Sequence, residues 1–226
     1  MGNKIHPTCI IEGDVKLGKG NKILPFTIII GPVDIGDNNI IGPNVVIGSP
    51  GQDTRNPYYD SSNSRISIGS NNIIREFSAI QKPCYKDITK IGNNVFLMQS
   101  VHIPHDAIIH DKVVITPMVV LAGLTNIMEG ANLGMGCSVN QYCVVGAYSI
   151  VGTKSPLMKN LKPFSRYVPS KNLSVNKYAI NKFGFTEFED EITKYVLENK
   201  MPTNEKIISI INQFDNLVEE SKKETY

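Results

Sequence analysis

The sequence has few cysteines, no long apolar run and almost no net charge. Its four cysteines, Cys9, Cys84, Cys137 and Cys143, lack the C-x-x-C spacing of a zinc or redox motif. Three of them stand where the repeat described below takes a small apolar residue, so buried free thiols are expected rather than a disulfide framework. No stretch approaches the ~18 apolar residues of a membrane span. Residues 1 to 6 (MGNKIH) lack the apolar core of a secretory signal, and the expectation is a cytoplasmic protein without membrane insertion. A net charge of +2 gives no overall electrostatic argument for nucleic acid, and none is expected as a partner. Acidic residues are also absent from Gly130 through Thr186, where Lys154, Lys159, Lys162, Arg166, Lys171, Lys177 and Lys182 stand. Such a basic stretch suits the phosphates of a nucleotide or of coenzyme A, or an acidic carrier protein.

What the chain does have is a repeat. Of its 226 residues, 41% are hydrophobic, enough for a globular core. Stepping by six from Ile5 meets Ile11, Leu17, Ile23, Ile29, Ile35, Ile41 and Ile47. The step resumes at Ile68, Ile74 and Ile80. It starts again at Ile91 and runs through Leu97, Ile103, Ile109, Ile115, Leu121, Ile127, Leu133, Val139 and Val145 to Val151. Six residues are too few for a helix and too regular for a hairpin. Hexapeptide repeats of this kind specify a parallel β-helix, with three units per coil of 18 residues and the anchors pointing inward. The fold class is therefore mainly β, a parallel β-helix over residues 1–162, with a small, mostly α-helical C-terminal extension over 163–226.

Two segments interrupt the lattice, 49–67 and 81–90, in loop-rich composition. Past Val151 the repeat fades, and 163–185 reads as irregular with some helix. Thr186 and Glu189 have capping-box spacing, which predicts a helix that Pro202 ends, with Phe188, Ile192, Tyr195 and Val196 on one face. A second helix from Asn204 to Ser221 should bury Ile207, Ile208, Ile211, Phe214, Leu217 and Val218. This tail can cap the solenoid or pack on a neighbouring chain.

Three of the four histidines, His102, His105 and His110, fall within nine residues of one another. His105, Gly123 and Gln141 are each 18 apart and two past an anchor, so they stack on one edge of three successive coils at ~4.8 Å spacing. Asp106, Leu124 and Tyr142 form the adjacent column, and His102 stacks with Val120 and Ser138. A groove lined by an imidazole, a carboxylate and an approachable glycine N–H suits acyl transfer. The imidazole takes a proton from an attacking hydroxyl or amine, and the N–H holds the developing oxyanion.

These residues resemble a known family. The segments IHPTCIIEGDVKLG, NNVFLMQSVHIPHDAIIH, LAG at 121 to 123 and NQYCVVGAYSIVG are similar to the UDP-N-acetylglucosamine acyltransferases of lipid A biosynthesis, over residues 4 to about 185. The resemblance implies a left-handed β-helix and a homotrimer with active sites between subunits. It implies an acyl donor on coenzyme A or an acyl carrier protein, used as co-substrate, with no tightly bound cofactor and no metal. It assigns His105 as general base, Asp106 as its partner and Gly123 as oxyanion donor, with His102 and Gln141 as substrate contacts. In the first loop, Gln52, Asp53 and Arg55 become acceptor contacts. The chain departs from the family at Leu124, at Asn140-Gln141-Tyr142, at Ile80-Gln81-Lys82-Pro83 and at Lys182-Phe183, where the family carries paired arginines. Asn140 and Lys182 are thus expected in a rewritten acceptor shell. Thr153, at the position that limits acyl length, points to a short acyl group. The favoured reading is acylation, on nitrogen, of a nucleotide-linked amino sugar. The lipid A reaction on UDP-N-acetylglucosamine, a zinc enzyme using the His105/His110 spacing and a non-catalytic trimeric scaffold are the alternatives.

Overall fold

The structure is a computed structural model that describes residues 2–53 and 64–226. Short strands wind into a left-handed parallel β-helix, a three-sided prism with one sheet per side. The first sheet starts at Lys4–Ile5 and ends with Ser165–Tyr167 and Ser174–Val175, the second runs from Ile10–Glu12 to Pro156–Leu157, and the third runs from Val15–Leu17 to Val144–Val145. Among the described residues, every strand pairing is parallel except that of Ser165–Tyr167 with Ser174–Val175. The six-residue step explains the architecture. Each anchor enters the core and the next residues turn a corner, so Ile29, Ile47, Ile80, Ile103, Leu121, Val139 and Leu157 stack inside the second sheet, all at most 2% exposed. Each such side chain contributes about 1.5–3 kcal/mol by leaving water. The corners are turned by one left-handed residue per unit, three past the anchor: Phe26, Asn44, Phe77, Ser100 and Met118 on one edge, and Asp106, Leu124 and Tyr142 on another.

Register shows where the insertions leave the prism. Ile29 pairs with Ile47, Ile47 with Ile80, and Ile80 with Ile103. These separations are 18, 33 and 23 residues, so the insertions add 15 and 5 residues to otherwise regular coils. Both sit between the second and third sheets, on the edge that carries His105 in the following coil. They are shorter than expected. Strands Val46–Ser49 and Arg65–Ile68 absorb the ends of 49–67, while Ala79–Gln81 and Ile88–Ile91 reduce 81–90 to residues 82–87. The cause is pairing with the coils on either side, as in Arg65 opposite Ile88 and Ser67 opposite both Asp34 and Lys90.

A second stabilising element is an asparagine ladder two residues before the anchors of the first sheet. Asn21, Asn39 and Asn72 are fully buried. Each side-chain oxygen accepts the N–H of the residue stacked on it, at Asn39, Asn72 and Val95 in turn (2.7–2.9 Å). Each amide donates to a carbonyl, that of Gly36, Gly69 or Gly92. These buried amides are tolerated because both ends of each are paired.

The C-terminal region lies against the side of the prism. Helices α1 (Lys177–Lys182), α2 (Glu189–Glu198) and α3 (Glu205–Ser221) bury Ile180, Ile192, Tyr195, Ile207, Ile211 and Phe214 against Val144, Ala147, Tyr148 and Phe164. Ile208, Leu217 and Val218 of α3 are only half-buried. The expected capping box does not form. Thr186 opens a single tighter turn, Thr186–Phe188, and its carbonyl accepts the Glu189 N–H, so α2 begins at Glu189 with no side-chain cap. Asn199, in the left-handed conformation, ends α2 before Pro202 is reached. Asn204 does cap α3, accepting the Lys206 and Ile207 N–H groups. The last residues return to the prism: Asn160 donates to the Glu224 carbonyl, and Tyr226 donates to the Asn160 carbonyl. The expected division at residue 162 falls inside this final coil, because Ser165–Tyr167 still pairs in parallel with Ile150–Val151.

The four thiols are unpaired, but only Cys137 and Cys143 are buried. Cys9, in the first coil, is half-buried. Cys84 lies in the second insertion, outside the lattice, and is half-buried there.

Candidate active site

His105 and Asp106 occupy the turn between strands His102–Ile103 and Ile108–Ile109. His105 is 4% exposed. Its Nδ1–H donates to Asp106 Oδ2 at 2.7 Å, which in the neutral ring makes Nε2 the acceptor nitrogen. Nε2 has no hydrogen-bond partner among the described residues. The carboxylate is held by more than the histidine: it accepts the backbone N–H groups of Cys84, Tyr85 and Lys86, the last at 2.7 Å. The Asp106 N–H donates to Thr89 Oγ1 at 2.9 Å. Burial alone would raise the Asp106 carboxyl. The His105 bond and the three backbone donors together outweigh it and hold the group below its ordinary value, so it stays ionised beside the imidazole. Asp106 therefore fixes the ring and also pins residues 84–86 of the second insertion over it. The Tyr85 ring meets the imidazole edge-on, with centroids 5.9 Å apart.

Gly123 sits one coil beyond His105. A Cβ there would lie 2.2 Å from His105 Cε1 and 2.4 Å from Nε2, so the imidazole occupies the volume any side chain would need. This is a steric requirement for glycine, added to the chemical one. The flanking Ala122 and Leu124 N–H groups donate to Val139 and His105 carbonyls. The Gly123 N–H has no acceptor among the described residues. Gly51 backs the ring from the first insertion, where a Cβ would lie 2.3 Å from Cys84 Sγ and 2.8 Å from His105 Cβ. Burial, with Asp106 and Asp53 nearby, pushes the Cys84 thiol up to about 11, which keeps it protonated.

A cleft of about 380 Å³ opens here, lined by Gln52, Asp53, Gln81, His102, Pro104, His105, Leu121, Ala122, Gly123 and Gln141. Its lining comes from five successive coils, and from Gln81 to Gln141 it crosses four of them, or roughly 14 Å at the strand spacing. His102 is half-buried on its wall. Burial, and then the neighbouring His105, lower its pKa and favour the neutral ring.

The fold thus brings together Gln52, Asp53, His102, His105, Asp106, Gly123 and Gln141 from the sequence reading. Asn140 does not line the cleft, but its Oδ1 accepts the Gln141 N–H at 2.9 Å and shapes the turn that presents Gln141. Thr153 and Lys182 are elsewhere. Thr153 is exposed on the edge between the first and second sheets, and the Lys182 ammonium lies 5.2 Å over the Phe183 ring and 5.8 Å over Tyr178. Arg55 lies outside the described residues. Sequence reasoning missed Gln81 as a lining residue, Tyr85 as the wall beside the base and Thr89 as a support of Asp106. The insertion interrupts the 18-residue arithmetic, and only the observed register puts these residues opposite His105.

The histidines of the zinc alternative do not converge. His105 bonds Asp106, whereas His110 lies on a different edge with Nε2 at 2.9 Å from Asn126 Oδ1. No group of three His, Cys, Asp or Glu among the described residues is arranged to hold a metal ion. No helix among them is long and apolar enough to cross a membrane.

Comparison with known proteins agrees with this geometry. The bacterial transferase hexapeptide (six repeats) family model matches residues 14–49 and 88–123. The acyl-[acyl-carrier-protein]–UDP-N-acetylglucosamine O-acyltransferase of Gloeothece citriformis is 39% identical over 80 residues, 35% of this chain and 28% of that protein. The enzyme of the same name from Thermodesulfovibrio yellowstonii is 31% identical over 121 residues, 53% of this chain and 46% of that protein. The chain thus spans about a quarter to a half of the length of these curated relatives. Among solved structures, the UDP-N-acetylglucosamine O-acyltransferase of Moraxella catarrhalis superposes with a TM-score of 0.83 at 25% identity, over 98% of both chains. The Bacteroides fragilis UDP-N-acetylglucosamine acyltransferase gives 0.79 at 26% identity, over 95% of both. The resemblance read in the sequence holds in both fold and sequence.

Proposed function

We propose that this chain transfers an acyl group from a thioester, on acyl carrier protein or coenzyme A, to a hydroxyl of a nucleotide-activated sugar, with UDP-N-acetylglucosamine as the favoured acceptor. The observation that carries the reading is the buried His105–Asp106 pair, whose free Nε2 faces the cleft against Gly123. The acceptor hydroxyl gives its proton to Nε2 as its oxygen bonds to the thioester carbon. The Gly123 N–H steadies the oxyanion. Collapse breaks the C–S bond, and the leaving thiolate takes the proton from the imidazolium. Asp106, ionised and held by three backbone donors, accepts the Nδ1–H and keeps the ring from turning. The curated relatives carry O-acylation of UDP-N-acetylglucosamine in their names, which favours that reaction over the N-acylation of an amino sugar read from the altered acceptor shell.

The reading includes a homotrimer. Phe26, Phe77 and Met118, about 60% exposed, alternate with Asn44 and Ser100 along the edge between the first and second sheets, and Val120 adds an exposed apolar side chain on the second sheet. The described cleft lining has no lysine or arginine, although a nucleotide diphosphate requires cations. Lys159 continues the His105, Gly123 and Gln141 column one coil further and pairs with Glu224, and the other basic residues between 154 and 182 lie on other edges or in the C-terminal region, so a neighbouring copy is the proposed source of that charge. The test is thioester loss with hydroxyacyl carrier protein or acetyl coenzyme A against UDP-N-acetylglucosamine and UDP- or dTDP-amino sugars. Transfer to the first acceptor, abolished in His105→Ala with the oligomer intact, is expected. Near-full turnover by that variant would reject the assignment, and transfer only to amino sugars would restore the N-acylation reading.

A further inference from the structure

The floor of the cleft carries a donor that the proton relay does not use. Gln81 ends strand Ala79–Gln81, where pairing with Val46–Ser49 shifts register between Ile80 and Gln81. An irregularity of this kind re-aims a side chain. Here two successive residues, Ile80 and Gln81, are both buried, and Gln81 is 3% exposed although it lines the cleft. Its orientation is set by a backbone donor: the Gln52 N–H, 3.3 Å away, can face only the carboxamide oxygen. The NH2 group is therefore the other end, and it has no acceptor among the described residues. The residue is otherwise packed away, so this amide end opens into the cleft, where a ligand oxygen can take the place of water as its acceptor.

We infer that Gln81 is a specificity-determining contact, donating from Nε2 to an acceptor-substrate oxygen that can only accept, a carbonyl or phosphoryl oxygen. The inference rests on reading the cleft as a sugar-nucleotide site. Gln81 stands one coil before His105, beside Gln52 and Asp53, so it holds the substrate away from the reacting carbon and acts through binding. A pocket built around a donor discriminates strongly against ligands that cannot accept from it, because the donor is then left unpaired.

The experiment is calorimetric titration, without acyl donor, of UDP-N-acetylglucosamine and of UDP alone into wild type, Gln81→Met and Gln81→Glu at pH 8. Gln81→Met keeps the volume and removes both polar ends. Gln81→Glu keeps the acceptor for Gln52 and removes only the donor, so it decides the question should Gln81→Met fail to fold. Both variants should weaken binding about tenfold or more, and in turnover KM should rise with kcat nearly unchanged. Equal weakening of both ligands places the oxygen on the nucleotide; weakening of the sugar nucleotide alone places it on the acetamido carbonyl. Folded variants that bind both ligands like wild type would overturn the inference while leaving the cleft reading in place. A wild-type protein that binds neither ligand would overturn the cleft reading and this inference with it.

Discussion

Replacing Gly123 with alanine separates the geometry of the base from the chemistry of the N–H. The backbone at Gly123 is not in the left-handed region, so alanine brings no conformational strain, and the N–H remains. The whole perturbation is the methyl group, 2.2 Å from Cε1 and 2.4 Å from Nε2 of His105. Restoring an ordinary contact of ~3.5 Å requires the ring to retreat by about 1.3 Å. The retreat is resisted, because Gly51 backs the His105 Cβ and Nδ1 is tied to Asp106 at 2.7 Å. The methyl would sit over the ring face, so the retreat runs along the ring normal and lengthens the in-plane bond to Asp106 only to about 3.0 Å; the perturbation is displacement of the base rather than loss of its partner. Misplacing a catalytic group by about 1 Å costs on the order of a hundredfold in rate, or ~2.7 kcal/mol in barrier. The overpacking itself costs about 1–3 kcal/mol of stability, which a solenoid of this size tolerates. The assay is single-turnover thioester loss alongside a thermal melt. kcat should fall about a hundredfold with KM for the acceptor little changed. A folded Gly123→Ala protein within threefold of wild-type kcat would refute the steric argument.

Further outcomes follow from the same contacts. Asp106→Asn leaves Cys84, Tyr85 and Lys86 N–H groups competing for one oxygen, so urea unfolding should show a loss of about 2–4 kcal/mol and the rate should fall at least a hundredfold. Because the folded Asp106 carboxyl titrates below its ordinary value, its stabilisation is present above about pH 4 and is lost as pH falls through the lower folded value; the variant should flatten that acid limb. His102 and His110 are lowered by burial first, so each favours the folded state above about pH 6.5, and that contribution disappears as pH falls through the folded values. Unfolding midpoints at pH 8 and pH 5 should differ, with a smaller difference in His110→Gln; identical slopes for the two proteins would contradict this. Asn39→Ala removes the acceptor for the Asn72 N–H and a donor to the Gly69 carbonyl, and denaturant titration should report a loss of about 2–4 kcal/mol.

Much of this was readable in advance because the β-helix translates sequence distance directly into space. Residues 18 apart must stack, and His105, Gly123 and Gln141 do. The same rule explains the misreadings. The insertions break the arithmetic at Ile47 and Ile80, so the placement of Gln81, Tyr85 and the 84–86 donors around Asp106 depended on register and loop closure. The asparagine ladder left a visible signal, Asn two before the anchor at 3, 21, 39 and 72, that periodicity in apolar residues overlooks.

The sequence by itself determined the coil, its inward anchors and the column that carries the base, since all three are consequences of one short period and of keeping every anchor buried. Tertiary structure decided what surrounds the base. That both insertions leave the same edge, that Asp106 clamps one of them by three N–H groups, and that the imidazole fills the space of a missing Gly123 side chain are contacts between residues with no fixed separation in the chain. Their energies come from packing and from satisfying buried polar groups, and these exist only once the coils have stacked.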